Sequence, residues 1–452
     1  MNNEQNSPAN AELSRRHFLK NTSLGIAGAA AAVQMPFILT AHAAADDPIK
    51  IGLIGCGGRG TGAALDALGA AANVIYPKAG YHTEDVQQNA QVTEKGVKIV
   101  ALADVFPDRL ERCRTQLSKL NMAIGDEYCF TGFDAYKKLL EVKEINYVIC
   151  ATPPHFRPIH LRAAIEAGKN VFIEKPVAVD GPGVRSVIES GELAKQKGLG
   201  IAVGTQRRHQ TSYIEAIKRI KDGAIGDIVY GRVYWNGGVI WVIKPDPKWS
   251  DMEWQLRNWN YFTWLGGDHI VEQHVHNLDI ANWIMGTPVK AYGRGGRHAR
   301  PDKNYGHIFD HFSIEFEYAN GARLFSACTQ MDGCEDRVGE AVVGTKGISN
   351  CQNFIQPAGG QAWRFSGKDS NPYRQEHADL INSIRSGQPI NEAKNAAEST
   401  LMGIMGREAA YSGKSITWEQ AMNSTKHLGP DKYEMGPLPF PEVAMPDTYK
   451  IS

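Results

Sequence analysis

The stretch "IGLIGCGGRGTG" at residues 51–62 joins an apolar run to a cluster of glycines. The apolar run, which begins at residue 49, predicts a short buried strand, and "TGAALDAL" after the glycines has the spacing of a helix. Gly55, Gly57 and Gly60 therefore stand between a strand and a helix. That is the setting in which a G-x-G-x-x-G sequence indicates a dinucleotide-binding loop.

Each position of this loop has its own expected role. Gly55 permits a tight turn, Gly57 lets the backbone approach a pyrophosphate, and Gly60 lets the helix pack closely on the strand. Gly58 and Arg59 lie at the start of the helix, where free N–H groups and a partial positive charge favour a phosphate. We expect all five residues to bind the cofactor.

A second predicted strand, "VKIVALADV" at residues 97–105, ends at an acidic residue. Asp104 would accept hydrogen bonds from ribose hydroxyls and repel a 2′-phosphate, which favours NAD over NADP. The interval from the glycines exceeds the usual spacing of about 20 residues, so we interpret the polar segment 71–96 as an insertion. The alternative is that Asp104 caps the helix that follows.

Strands and helices continue to alternate, which predicts a doubly wound parallel sheet of the Rossmann type. Ligands of such sheets bind at the carboxyl ends of the strands. Thr152 ends the predicted strand "NYVICAT" and is followed by Pro153 and His155, and Glu174 and Lys175 lie near the end of the strand segment "NVFIEKP". We expect these five residues to bind the cofactor together with the glycine loop.

The second half of the chain contains long alternating segments, such as "DIVYGRVYWNGG", "IFDHFSIEFEY" and "ARLFSACTQ". They predict an α/β domain with a large, open, mostly antiparallel sheet, one face of which is free. A free face suggests a homo-oligomer, either a dimer or a tetramer.

The chain is predicted to have four parts. They are a signal and linker at 1–45, a Rossmann domain at 46–178, a substrate and oligomerisation domain at 179–420, and a Pro-rich tail at 421–452. We expect the late helices of the third part to pack back on the Rossmann domain and the tail to cover a neighbouring subunit.

The N-terminus has three parts in a fixed order. Twin arginines in "SRRHFLK" (14–20) precede a mildly apolar stretch at 24–33, and "AHA" at 41–43 has the small residues of a cleavage site. The apolar stretch is too short for stable membrane insertion. This order resembles a twin-arginine (Tat) signal, which implies export of the folded protein to the periplasm by the Tat machinery. A disordered basic tail is the alternative.

Charge and cysteine content exclude several classes of partner. The chain has 49 Lys and Arg against 49 Asp and Glu. Because no basic block is present, we expect no nucleic-acid partner. The seven cysteines have neither C-x-x-C nor metal-ligand spacing, so we expect buried thiols and not a disulfide framework.

Three motifs together resemble the Gfo/Idh/MocA oxidoreductases. They are "GLIGCGGRG", "ICATPPHFRPIHLRAAIEAGKNVFIEKPVAVD" and "GGDHIVEQHVHNLD", and the resemblance extends over roughly residues 48–420. It implies an NAD(P)-binding Rossmann domain followed by an α/β domain with a large open sheet. It also implies oxidation or reduction of hydroxyls on sugars and cyclitols.

The third motif is the densest polar cluster in the chain. If it is one helix, His269, Glu272, His276 and Asp279 share a face through steps of three and four residues. The family pattern has an Asp four residues before the catalytic His, and this chain has Glu272 at that place and His276 at the His. We expect His269 and Asp279 to contact the substrate.

The resemblance gives Lys175 the place of the family's active lysine. Hydride loss from a carbinol requires a base near neutral pKa beside the hydroxyl, and His276 is the candidate. Lys175 would stabilise the developing negative charge on the same oxygen. Glu272 would orient His276 or bind a neighbouring hydroxyl.

Aromatic residues indicate a carbohydrate substrate. Six of the nine tryptophans lie between residues 235 and 264, and aromatic faces stack on sugar rings, although an ordinary core also collects such residues. We expect Trp259 to bind the substrate and Arg208, which follows a predicted strand, to assist.

Several alternatives stay open. The acidic and histidine side chains of 266–279 would suit zinc in a metal-dependent hydrolase, but the segment lacks an H-E-x-x-H order, so we expect no metal.

An exported enzyme has no pool of free NAD, so the cofactor should be tightly bound and recycled in place. A glycoside-cleaving enzyme that oxidises, eliminates and re-reduces is the second hypothesis, and a non-catalytic, NAD-bearing sugar-binding protein is the third.

Overall fold

The computed structural model describes residues 48–72 and 85–451. The predicted export signal, with its twin-arginine segment 14–20, apolar stretch 24–33 and cleavage site 41–43, lies outside the described residues. So does segment 73–84 within the predicted insertion. Among the described helices, none has both the length and the apolar character that crossing a bilayer requires.

The first half of the chain forms a six-stranded sheet with the order β3-β2-β1-β4-β5-β6, in which every pair is parallel. Its strands are β1 (Ile49–Ile54), β2 (Val97–Asp104), β3 (Cys129–Thr131), β4 (Tyr147–Cys150), β5 (Asn170–Ile173) and β6 (Ile201–Val203). The helices that accompany them are α1 (Gly58–Ala67), α2 (Pro107–Ser118), α3 (Ala135–Leu140), α4 (Arg157–Glu166), α5 (Gly181–Lys197) and α6 (Thr211–Lys221).

This sheet confirms the predicted doubly wound fold. The central strand β1 is covered on both sides, with Ile51 and Leu53 fully buried, as expected for a parallel sheet between helix layers. The strand order reverses between β1 and β4, and a ligand crevice opens at such a switch point. The sheet continues through α5 and β6, so the first domain extends further along the chain than the predicted end at residue 178.

The second half forms a nine-stranded sheet with the order β14-β13-β12-β11-β7-β10-β9-β8-β15. Strand β10 pairs with β7 in parallel and the other ladders are antiparallel, which confirms the predicted mostly antiparallel sheet. The strands are β7 (Ile228–Gly237), β8 (Lys290–Gly296), β9 (His311–Glu317), β10 (Arg323–Gln330), β11 (Arg337–Gly344), β12 (Gly347–Ser349), β13 (Phe354–Pro357), β14 (Trp363–Arg364) and β15 (Ile416–Thr417).

The helices of this half are α7 (Asp251–Arg257), α8 (Thr263–Gly266), α9 (His269–Glu272), α10 (Val275–Met285), α11 (Pro372–Arg385), α12 (Ala393–Ser412) and α13 (Trp418–Asn423). The largely buried α12 lies between the domains, because it packs against α5 on one side and against β8 and α10 on the other. Its Arg407 donates to the carbonyls of Val179 (2.8 Å) and Gly267 (3.1 Å), one from each half.

The Pro-rich tail lies on its own chain. The Leu428 N–H donates to Asp180 Oδ2 at 3.1 Å, and the Tyr449 hydroxyl is 2.8 Å from both carboxylate oxygens of Glu408. The tail thus packs across both domains of its own molecule, and its contact with a neighbouring subunit stays a prediction.

Candidate active site

A cavity of about 860 Å³ opens at the carboxyl ends of the parallel strands, and its opposite wall comes from the second domain. It brings together most of the predicted site residues. Those that line it are Gly55, Gly57, Gly58, Arg59, Gly60, Asp104, Thr152, Pro153, Glu174, Lys175, Trp259, Glu272 and His276.

The glycine loop is built to receive a phosphate. A Cβ on Gly60 would lie 1.8 Å from the Gly55 carbonyl oxygen, so close packing requires glycine there, whereas a Cβ on Gly57 would meet nothing within 4 Å. Gly55 has a φ of 95°, which favours glycine. The first helical bond of α1 runs from Thr61 N–H to the Gly57 carbonyl. The N–H groups of Gly58, Arg59 and Gly60 come before this bond in the helix, where N–H groups lack intrahelical partners, so they are the groups that would receive a pyrophosphate.

Asp104 both holds this loop and lines the cavity. Its Oδ2 accepts the Cys56 N–H at 2.6 Å, and its Oδ1 accepts the Phe106 N–H at 2.8 Å. Burial raises the pKa of Asp104, although Arg109 and these amides oppose that shift. A carboxylate offers about four acceptor sites, so capacity remains for ribose hydroxyls. The N-cap residue of α2 is Phe106, so Asp104 does not cap that helix in the predicted way.

The side chain of Arg59 has a different role from the one expected. Its guanidinium contacts Glu174 (2.6 Å), Asp66 (3.2 Å) and Glu376 (3.1 Å). Burial lowers the pKa of Arg59, but these carboxylates outweigh it and hold the pKa above its ordinary value. Carboxylates of the protein therefore neutralise the Arg59 side chain. A bound phosphate would contact the backbone N–H of Arg59 and not its guanidinium.

Arg208 and Asp279, both expected to bind substrate, pair with each other outside the cavity. Arg208 Nε is 2.8 Å from one carboxylate oxygen of Asp279, and Nη2 is 2.8 Å from the other. Ser399 Oγ also donates to Asp279 Oδ1 at 2.7 Å. Arg208 belongs to the turn 206–209 that follows β6, so the ion pair ties this turn to α10, and the Ser399 bond ties α10 to α12.

His269 and His155 also lie away from the cavity. The predicted single helix is broken into α9, which ends at Glu272, and α10, which begins at Val275. The break turns His269 into the core, where its ring lies 5.1 Å from that of Phe312. His155 Nε2 is 2.8 Å from the Tyr433 hydroxyl, and burial lowers its pKa to about 4.

The catalytic candidates meet where the two domains meet. Lys175, just after β5, donates from Nζ to the Glu272 carbonyl at 2.7 Å and to Glu272 Oε1 at 2.9 Å. The two side chains are only 11% and 4% exposed. Glu272 therefore binds Lys175, a contact that we did not expect, and its binding of a substrate hydroxyl stays a prediction. Its second oxygen, Oε2, is buried and has no hydrogen-bond partner among the described residues.

His276 lies one turn further on, at the start of α10, and lines the same cavity. Its ring stacks on Trp235 with centroids 5.6 Å apart. Burial lowers the pKa of His276 well below its ordinary value, and the nearby charge of Lys175 adds to the effect. The imidazole is therefore neutral near pH 7, so a ring nitrogen can accept a hydrogen bond from a substrate hydroxyl. Its pKa lies below the near-neutral value that we expected, which makes it a weaker base than predicted.

The sequence did not single out Gln273, which also lines the cavity. Its Oε1 accepts from Gln330 Nε2 at 2.6 Å, and Gln330 Oε1 accepts from Arg300 Nη1 at 2.6 Å. This relay fixes the amide so that its NH₂ group is left for another acceptor. Its position beside Glu272 in the motif was a signal, but only the helix break turns it toward the cavity.

The aromatic cluster divides between cavity and core. Trp235, Trp241 and Trp259 line the cavity, and the rings of Trp241 and Trp259 lie 5.7 Å apart. Trp254 and Trp264 are buried in an apolar cluster that lies behind the cavity wall and against which Trp259 also packs. Within residues 48–72 and 85–451, no three His, Cys, Asp or Glu side chains are grouped so that they could hold a metal ion.

A Rossmann domain with a glycine loop, joined to an open sheet, defines the class of NAD-binding oxidoreductases. Residues 49–205 match the family model "Oxidoreductase family, NAD-binding Rossmann fold", and residues 213–349 match "GFO/IDH/MocA C-terminal domain". The chain belongs to the Gfo/Idh/MocA oxidoreductase family.

Relatives within this family are named for different activities. A glycosyl hydrolase family 109 protein of Shewanella pealeana is 23% identical over 69% of this chain and 65% of its own length. The scyllo-inositol 2-dehydrogenase (NAD(+)) of Bacillus subtilis is 24% identical over 59% of this chain and 68% of its own. The chain spans 58% and 65% of the length of the first two curated relatives that it matches.

Among solved structures, the fold is similar to that of the aldose-aldose oxidoreductase of Caulobacter crescentus complexed with glycerol. The TM-score is 0.59 at 19% identity, and the match covers 82% of this chain and 99% of that one.

Two glycine substitutions should separate the loop's structural role from its binding role. Gly57→Ala should leave the melting temperature unchanged, because its Cβ meets open space, yet weaken NAD binding by filling that space. Gly60→Ala should lower both the melting temperature and the affinity for NAD, because its Cβ would collide with the Gly55 carbonyl. Thermal unfolding without ligand and titration with NAD would measure the two effects. Unchanged NAD affinity in a folded Gly57→Ala protein would contradict the assignment of the loop.

Proposed function

We propose that this chain is an NAD-dependent oxidoreductase that acts on a hydroxyl of a sugar, glycoside or cyclitol. The observation that carries the proposal is the meeting of Lys175, Glu272 and His276 in the same cavity as the glycine loop. A cavity that only bound NAD and a sugar would have no need of a neutral imidazole beside a lysine ammonium.

Alcohol oxidation removes a proton from the hydroxyl as a hydride leaves the carbinol carbon. Bound NAD supplies the acceptor for that hydride. A ring nitrogen of His276 accepts the hydroxyl proton, since its lowered pKa keeps it neutral. Lys175 uses two of its three N–H groups on Glu272, and the third donates to the same substrate oxygen. That bond stabilises the negative charge that develops there.

Two neighbouring groups would orient the rest of the substrate. Glu272 Oε2 is a buried acceptor that a second substrate hydroxyl would satisfy. The NH₂ group of Gln273, held by Gln330, would donate to a third oxygen. Donors and acceptors so close together suit a polyol, and the faces of Trp241 and Trp259 suit its C–H faces. The named activity of the Bacillus subtilis relative belongs to the same substrate class.

Redox-neutral glycoside cleavage is the second candidate. The Shewanella pealeana relative, named a glycosyl hydrolase family 109 protein, favours it. Both candidates begin with proton removal at His276, but a glycosidase would release an aglycone and leave the nucleotide in its original redox state. Incubation with an aryl glycoside distinguishes them, because only the second candidate yields the free phenol.

We also propose that the chain works in the periplasm after Tat export and as a homo-oligomer. The order of the N-terminal motifs supports export. Exposed apolar side chains on one face of the nine-stranded sheet support association through that face; they are Tyr230, Tyr292, Val343 and Ile348. Tight binding of NAD would let the enzyme work where no free NAD is available.

If His276 and Lys175 act on one oxygen, their losses should not add. Each Ala substitution should slow reduction of the bound nucleotide by about 10²–10⁴-fold, and Lys175→Ala should add little once His276→Ala is present. Glu272→Gln should slow reduction of the bound nucleotide less than either Ala substitution does. Below pH 6.5 the wild-type rate should persist, because burial and the Lys175 charge keep His276 neutral there. Single-turnover absorbance of the nicotinamide after mixing with a polyol measures these rates.

NAD content after gel filtration serves as the control, since these variants should still bind the cofactor. Wild-type rates in His276→Ala, or fully additive effects in the double variant, would contradict the assignment.

The export proposal has a separate test. Replacing Arg15 and Arg16 by Lys should leave the protein in the cytoplasm with its signal uncleaved, because the twin arginines are the feature that the Tat machinery reads. Cell fractionation with immunoblotting would measure where the double variant is located and whether its signal is cleaved. Periplasmic recovery of the cleaved double variant would show that the Tat assignment is wrong.

A further inference from the structure

The C-terminal tail contains an element that no motif predicted, namely residues 428–440, here named the strap. We propose that the strap holds NAD in its cavity by closing the end where Asp104 lies. This inference depends on NAD binding and not on the reaction proposed above.

The strap is attached to both domains. At one end, the Leu428 N–H donates to Asp180 Oδ2 at 3.1 Å, and Asp180 is the N-cap of α5 in the first domain. At the other end, the Leu438 N–H donates to Asp251 Oδ2 at 3.1 Å, and the Leu438 carbonyl accepts from Gln255 Nε2 at 2.5 Å. Both of these partners lie on α7 of the second domain. The strap therefore crosses from one wall of the cavity to the other.

Tyr433, midway along the strap, is the side chain that enters the cavity wall. Its hydroxyl is 2.8 Å from His155 Nε2. Its ring centroid lies 6.1 Å from that of Phe133 and 5.3 Å from that of Phe156. Both phenylalanines line the cavity as well. This explains why His155 is buried away from the cofactor loop: it holds the tyrosine.

The position of Phe133 shows which end of the cavity is closed. It follows Gly132, whose N–H donates to the Asp104 carbonyl at 3.1 Å. Asp104 is the residue that fits the ribose hydroxyls. Tyr433 therefore lies at the Asp104 end of the cavity, and Lys175 and His276 leave a different part of it open to substrate.

A second tie crosses the same end. Arg257, on α7, donates to both carboxylate oxygens of Asp108, on α2, at 3.0 Å each. Its guanidinium also lies 3.9 Å from the ring centroid of Phe106. Arg257 and Phe106 both line the cavity. Two independent contacts thus link the domains at this end, and we expect them to slow the release of a nucleotide bound beneath them.

Exchange of bound NAD against an excess of radiolabelled NAD tests the proposal without any substrate. Tyr433→Ala should release NAD at least about tenfold faster, the effect of losing one buried hydrogen bond and its ring contacts. Tyr433→Phe keeps the ring and should stay closer to wild type. Met435→Ala is the matched control, because this strap residue is 45% exposed, and its release rate should not change.

A second variant makes the test independent of the folding of Tyr433→Ala. Asp251→Ala removes an anchor at an exposed position and should also speed release, with its melting temperature showing that the fold is intact. Wild-type release rates in folded Tyr433→Ala, or in Asp251→Ala where the first variant does not fold, would overturn the proposal. So would a wild-type protein that exchanges its NAD as fast as it is mixed.

Discussion

The contact between Lys175 and Glu272 is the interaction on which the site depends. It joins the end of β5 in the first domain to α9 in the second, through distances of 2.7 and 2.9 Å. A buried lysine is costly unless its charge and its N–H groups are satisfied. Here a carboxylate and a carbonyl of one residue satisfy them, and one N–H remains for a substrate oxygen. The placement of α9 therefore decides whether Lys175 is available for chemistry.

Two features hold α9 in place. Asp268, at its N-cap, accepts from the Phe309 N–H (2.9 Å) and from the Tyr411 hydroxyl (2.6 Å), which ties the helix to the segment just before β9 and to α12. Glycines of α12 allow the close approach: a Cβ on Gly403 would lie 3.1 Å from Val271 Cα. The same helix packs against α5 of the first domain. Packing in the interdomain core thus positions the groups that meet the substrate.

The sequence correctly predicted those features of the site that a local sequence pattern determines. The glycine loop, Asp104 and the strand-end motifs up to Lys175 line the cavity, because parallel strands carry their carboxyl ends to one edge. It failed where the outcome depends on distant partners. Helical spacing places Asp279 on the same face as His276, but Arg208 binds Asp279. The helix breaks after Glu272, and His269 lies in the core. Periodicity within one segment shows neither a partner 71 residues away nor such a break.

The account's central claim is that this cavity removes a hydride and a proton from a polyol carbinol. The most direct measurement mixes the NAD-loaded protein with scyllo-inositol and other polyols carrying deuterium on their carbinol carbons, then weighs the released nucleotide by mass spectrometry. The account predicts that the nucleotide gains one deuterium in the wild type, and that His276→Ala gains this label about 10²–10⁴-fold more slowly. A converted polyol beside an unlabelled nucleotide would contradict it.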